Sequence, residues 1–169
     1  MPRTPSSAHA TITALLLLAT LLFACGPEDG DEGEASAGFD RDSMTIVTAG
    51  GESVHLQVEI AETREQRTQG LMGRRELAPD SGMLFVIEPP GRGFWMKGTT
   101  LSLTVAFISA CGELVDFADL EPLSEEIKNT DLPYAFALEM QRAWFADHGI
   151  APGDVIQLPE RFQSADCEG

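Results

Sequence analysis

After residue 43 the chain is cut by Gly, Pro and Asp turn signals into short apolar runs, and this punctuation constrains the fold more than any other feature. Runs over 44–49 and 53–60 flank Gly50-Gly51, a hairpin signal. In the second run Val54, Leu56, Val58 and Ile60 alternate with His55, Gln57 and Glu59, so one strand face is apolar and the other wet. Further strands are expected over 82–87, 93–97, 101–109, 113–120, 134–140 and 155–158. Helix is confined to two places. Thr63-Arg64-Glu65-Gln66 has the form of a capping box opening toward Leu71 and Met72, and 144–148 reads as one helical turn ended by Gly149. Trp144 and Phe145 in that turn read as one core and one rim residue. Many short strands with little helix predict a mainly β fold, a small antiparallel β-sandwich or barrel with one or two short helices.

The N-terminus carries a different kind of signal. Arg3 is the only charged residue before an apolar run over 15–24 that ends at Cys25. The run is shorter than the roughly 20 residues of a membrane span and fits the h-region of an export signal. Its end, Leu22-Phe23-Ala24-Cys25, resembles a bacterial lipobox, with Phe23 bulkier than that pattern prefers. Residues 1–24 are therefore expected to be a lipoprotein signal and Cys25 the lipidated residue, against an ordinary signal peptide or an uncleaved anchor. Acyl chains at about 0.8 kcal/mol per buried CH₂ would hold the protein on a membrane facing the periplasm or cell surface. Gly26, in place of an Asp that favours inner-membrane retention, points to the outer membrane.

Charge narrows the partners. The 169 residues hold 27 acids and 11 Lys or Arg, a net charge of −16. That opposes binding to nucleic acid or anionic lipid surfaces, which demand basic patches. Residues 25–43 are Gly-rich and acidic, with seven acids against Arg41, and read as a solvated tether. The globular domain is expected over 44–163, with 18 acids and nine bases, followed by a tail over 164–169. With Cys25 acylated, Cys111 and Cys167 are left in an oxidising compartment, either bridged or as two free thiols.

Motifs across the domain carry a family resemblance. Ala61-Glu62-Thr63, Arg67, Gly70-Leu71-Met72 with Arg74, Gly82-Met83-Leu84-Phe85-Val86, and Phe94-Trp95-Met96-Lys97 with Thr99 look like the domain of unknown function 192 family. The match continues through Leu103, Phe107-Ile108, Gly112, Leu138-Glu139, Gly149-Ile150 and Pro152-Gly153-Asp154. The resemblance implies a small β-sandwich or barrel, often exported or membrane-tethered, with no established activity. Four positions depart from the family pattern. Gly98 stands where Asn is usual, Ser102 and Thr104 stand where Pro and Asp are usual, and Ala143 stands where Gly is usual.

The residues set limits on chemistry. After the signal only His55 and His148 remain, neither with a partner at ligand spacing, so no metal or other cofactor is expected. A Gly-x-Ser-x-Gly elbow is absent and Cys111 has no identifiable base. The best constellation is Arg67, Trp95, Lys97 and Glu139. In one reading Glu139 pairs with Arg67 or Lys97 to satisfy a buried charge, and Glu139→Gln then destabilises the fold. In the other these residues form an aromatic floor with charged groups for a small polar ligand. Three functions stay open: a non-catalytic binding or accessory domain of the envelope, a small enzyme acting on cell-wall or polysaccharide substrates through Glu139 or Asp154, and a scaffold for another envelope protein. No catalytic residue is assigned.

Overall fold

The computed structural model describes residues 38–88, 91–164 and 167, all within one unit spanning 35–169. Cys25, the apolar run before it and most of the acidic stretch lie outside the described residues. Among those described, no helix is long and apolar enough to cross a membrane.

Seven strands form one sheet: β1 (Asp40–Val47), β2 (Ser53–Ala61), β3 (Ser81–Val86), β4 (Leu103–Ile108), β5 (Leu114–Leu120), β6 (Phe136–Gln141) and β7 (Val155–Gln157). Their spatial order is β5-β4-β6-β3-β2-β1-β7. The two edges meet at one end, where Leu114 N donates to Asp154 O, Gly153 N to Leu114 O and Ile156 N to Gly112 O, each at 2.8 Å. The sheet is thus a half-barrel, closed at that seam. Gly112 makes the seam possible: its φ is +83°, and a Cβ there would stand 2.3 Å from Ile156 O.

The mainly β expectation holds, with specific differences. The β2–β3 pair is parallel, because α1 (Arg64–Gln69) and the chain after it carry the backbone back across the outer face. Segment 93–97 is not a strand; only Phe94 bridges, to Lys128, and Met96 N donates to Ser124 O at 2.8 Å. β1 begins at Asp40, not after residue 43, since residues 40–43 pair in register with Ile60, Glu59, Val58 and Gln57. Phe39 before it is buried. The domain therefore takes in part of the stretch that composition assigns to a tether.

Strand alternation divides the apolar residues between two cores. Ile46, Leu56, Leu84, Ile108, Leu138 and Ile156 fill the inside of the curl. Met83, Phe85, Val105, Phe107 and Ala137 face outward, covered by Leu71, Phe94 and Met96. Trp144 and Phe145, in α2 (Trp144–Asp147), both join the inner core; neither is a rim residue, and Trp144 Nε1 donates to Asp80 Oδ1 at 2.9 Å. Cys111, in the turn before β5, is bonded to Cys167 across a Cα separation of 5.3 Å. That bond ties the C-terminal segment to the seam.

Candidate functional site

The outer core is incomplete at one place, and a cleft of about 620 Å³ opens there. Its walls come from α1 and the turn after it, from the end of β3, and from segment 91–99; β6 supplies Glu139. Local chemistry explains each wall. Thr63 Oγ1 accepts from Gln66 N at 3.1 Å while Gln66 Oε1 accepts from Thr63 N at 2.9 Å, so the capping box fixes where α1 starts. One turn later Arg67 reaches inward, donating to Glu62 O and pairing with Glu88 at 3.0 Å. Segment 93–97 joins no sheet, with Gly93 at φ +76° at one end and Lys97 in a turn at the other. Phe94 and Met96 are buried in the outer core, and Trp95 and Lys97 are exposed. Phe94 packs edge-on against Phe85, ring centroids 5.2 Å apart. Trp95 stays 48% exposed, with Lys97 Nζ 5.3 Å from its ring centroid.

Arg67, Trp95, Lys97 and Glu139 all line this cleft. The ion pair that one of the two readings assigns to Glu139 is absent among the described residues. Arg67 is engaged by Glu88, Lys97 lies over Trp95, and no hydrogen bond or ion pair reaches the Glu139 carboxyl among the described residues. Glu139 sits between Met83 and Val105 in the sheet, both with no exposure, and is itself 5% exposed. Burial pushes its carboxyl up to about 8, so it is mostly protonated at neutral pH. No side-chain nitrogen or oxygen sealed from solvent lacks a partner among the described residues. The unpartnered Glu139 carboxyl therefore opens into the cleft.

Glu59 shows the contrast. It pairs across the sheet with Met83, the same residue that neighbours Glu139 on the other side. The two glutamates lie on one face, two strands or roughly 10 Å apart. Glu59 is also buried, yet Arg41 bonds it at 2.9 Å and Arg74 from the other side. The alternation of β2 places Glu59 on a wet face. Its burial comes from the covering of the outer core, which has no signature within β2.

The positions that depart from the family pattern sort by geometry. Thr104 lies on the inner face, opposite to Glu139, because Val105 and not Thr104 is the cross-strand neighbour of Glu139. Its hydroxyl donates to Asp119 Oδ1 at 2.8 Å; that bond and then Arg142 hold the Asp119 carboxyl below the usual range. These groups border a second cavity of about 400 Å³ with Phe117 and Phe145. A carboxylate at position 104 would not have been a partner for Glu139. Gly98 has φ +69°, a left-handed conformation open to Gly and tolerated by Asn. Ala143 has φ +67°, which accounts for Gly as the usual residue there. Asp154, weighed above as an acid or base, staples a turn by accepting from Ala49 N at 2.7 Å and Ala151 N at 2.8 Å. Among the described residues no group of three His, Cys, Asp or Glu is arranged to hold a metal ion.

Sequence reading missed the Arg41–Glu59–Arg74 cluster and two further cleft cations, Arg64 and Arg92. Arg64 and Arg92 each stand beside a signal that was legible, the capping box and the Gly91-Arg92-Gly93 turn, but neither signal gives direction.

A curled seven-stranded sheet with an aromatic-walled cleft on its outer face defines a small β-domain built to carry a pocket. The pattern of the domain of unknown function 192 family, described as "Uncharacterized ACR", matches residues 45–158, and the chain belongs to that family. Among solved structures it is similar to a protein of Sinorhizobium meliloti 1021 described provisionally as a transcription regulator. The two share 35% identity at a TM-score of 0.66, over 70% of this chain and 94% of that one. It is also similar to a protein of unknown function from Novosphingobium aromaticivorans DSM 12444, at 28% identity and TM-score 0.68, over 73% of this chain and 89% of that one. No curated protein matches.

Proposed function

We propose that this protein is a lipid-anchored domain of the cell envelope that binds a small polar ligand in the Glu139 cleft without converting it. The observation that carries the reading is the Glu139 carboxyl, buried among apolar neighbours and with no partner, opening into a cavity walled by Trp95. A desolvated polar group without a partner destabilises a fold by about 1–3 kcal/mol, and a ligand hydroxyl or amide would offset that cost. The Cys25 motif and the acidic segment after it support an anchored position, with the membrane reached through lipid.

Hydrolysis of a cell-wall or polysaccharide substrate is the second reading, and one observation favours it: a carboxyl protonated near neutral pH is the form required of a glycosidase acid. Such chemistry needs a second, free carboxylate. The other acid lining the cleft is Glu88, held by Arg67 at 3.0 Å. A scaffold for another envelope protein would use the exposed Leu123, Ile127 and Leu132. The regulatory description of the Sinorhizobium relative is not extended to this chain, whose domain carries twice as many acids as bases.

Two measurements test the proposal. Fatty-acid labelling of cells should give a labelled, membrane-fractionating protein, and Cys25→Ser should abolish both. The full chain, incubated with envelope extract and analysed by native mass spectrometry, should retain a small polar molecule that is recovered unchanged. Glu139→Met should lose it. Recovery of a cleaved product would establish the enzyme reading instead, and equal retention by the variant would remove the cleft from the function.

A further inference from the structure

The cleft has a charge character opposite to that of the domain around it. Arg41, Arg67, Arg74, Lys128, Arg142 and Arg161 are each engaged by a carboxylate. Four described cations have no ion pair: Arg64, Arg75, Arg92 and Lys97. Three of these four, Arg64, Arg92 and Lys97, line the Glu139 cleft. Across residues 40–163, with 20 acids and ten bases, unpaired cations are the scarce species, and their collection at one cavity makes a local positive potential. The acids of the same lining do not cancel it, since Glu88 is bound to Arg67 and the buried Glu139 carboxyl is mostly neutral at pH 7.

Resting on the binding role proposed above, we infer that the cleft selects an anionic saccharide, one whose sugar carries a carboxylate or phosphate group. Arg64, Arg92 and Lys97 receive the acidic group, Trp95 offers an apolar plate to the sugar ring, and Glu139 exchanges hydrogen bonds with a hydroxyl at the floor. Each part matches its chemistry. Guanidinium groups bond carboxylate and phosphate oxygens through charge-assisted pairs. The half-exposed indole of Trp95 stands beside the Lys97 charge, so ring and acid are met side by side. A protonated carboxyl both donates and accepts, as a hydroxyl requires, and does not repel an anion. Glu139 is the independent sign that the cavity is built to be filled, because its burial without a partner serves no packing purpose.

The test is a calorimetric titration of the full chain at pH 7 with matched probes. These are galacturonic acid trisaccharide against galactose trisaccharide, glucose 6-phosphate against glucose, and glucosamine trisaccharide as the cationic control. The acidic member of at least one pair should bind tenfold or more tightly than its neutral partner, and the advantage should shrink as salt is raised. Which pair shows it separates a carboxylate from a phosphate ligand. Arg92→Gln combined with Lys97→Gln should remove most of the advantage of the acidic member over its neutral partner; both positions are exposed, and a thermal melt checks that the variant folds. Equal affinities within both pairs overturn the inference while leaving a binding cleft. Tighter binding of glucosamine trisaccharide overturns it with the opposite charge preference. Silence with every probe overturns it too, and the envelope-extract experiment then decides separately whether the cleft binds anything.

Discussion

Two glutamates on one face of the sheet show what separates a structural carboxyl from an unsatisfied one. Glu59 is bracketed by Arg41 and Arg74, whereas Glu139 is bracketed by Met83 and Val105. The consequence for stability has a definite sign. Glu139 titrates from 4.5 in the unfolded chain to about 8 in the fold, so the native state holds the extra proton between those values. Its contribution is complete below about pH 4.5 and is lost as pH rises through about 8, at on the order of 1.4 kcal/mol per pH unit. Glu139→Gln keeps shape and neutrality. Urea unfolding should find the variant close to wild type at pH 5 and more stable by pH 8, opposite to the loss that an ion pair would produce. A variant weaker at every pH would restore the ion pair. Ala143 offers a second test at this scale. Its left-handed backbone is strained by roughly 1–2 kcal/mol, and part of the relief on substitution is offset by the looser unfolded chain. Ala143→Gly should raise stability by about 0.5–1 kcal/mol, read as a higher melting temperature.

Elements owe their positions to local signals of unequal strength. The Thr63 capping box was legible in four residues because both of its bonds are local. No residue of α1 is buried, so the cap and the chain on either side hold it. Thr63→Ala should therefore lower stability by about 1 kcal/mol, measured by chemical denaturation. It should also weaken ligand retention, since Arg64 and Arg67 are carried on that helix. Segment 93–97 reads as a strand because its alternation is real, yet alternation reports only an extended backbone with two unlike faces. Whether such a segment joins a sheet depends on a partner, and its partners here are the irregular backbone at Ser124 and Lys128. β1 starts earlier than composition indicates for a related reason. Composition marks Asp40 to Ser43 as tether, but the backbone of β2 supplies register partners regardless of side chain. A chain beginning at Met44 should lose the strand pairing of residues 40–43 and the burial of Phe39, and fall in stability by about 1.5–3 kcal/mol relative to one beginning at residue 35, while Arg74 still holds Glu59.

At the scale of the molecule, closure depends on contacts between parts distant in sequence. The seam joins Gly112 and Leu114 to Asp154 and Ile156, and the Cys111–Cys167 bond, spanning 56 residues, is attached one residue from it. In the chain-entropy account a loop of that length contributes up to about 4 kcal/mol. Denaturation of the full chain with and without reductant, or of the double variant Cys111→Ser with Cys167→Ser, should show a loss approaching that size. Unchanged stability on reduction would mean that the seam holds without the bond.

The sequence by itself determined the class of fold, most element positions and the residues worth watching, because turn chemistry, strand alternation and helix capping act within a few residues. Arg67, Trp95, Lys97 and Glu139 stood out on residue type and neighbours alone, and they line one cleft. Only the tertiary structure decided what those residues do to one another. The same buried glutamate reads identically in sequence whether an arginine faces it or not, and the pairing is set by which strands lie side by side. The β1–β2 register and the chain after α1 gave Glu59 its two arginines, while the register β3–β6–β4 left Glu139 between apolar neighbours and turned Thr104 to the opposite face. A hydrogen-bonded ion pair needs its atoms within about 3 Å, so it belongs to packing and not to sequence spacing.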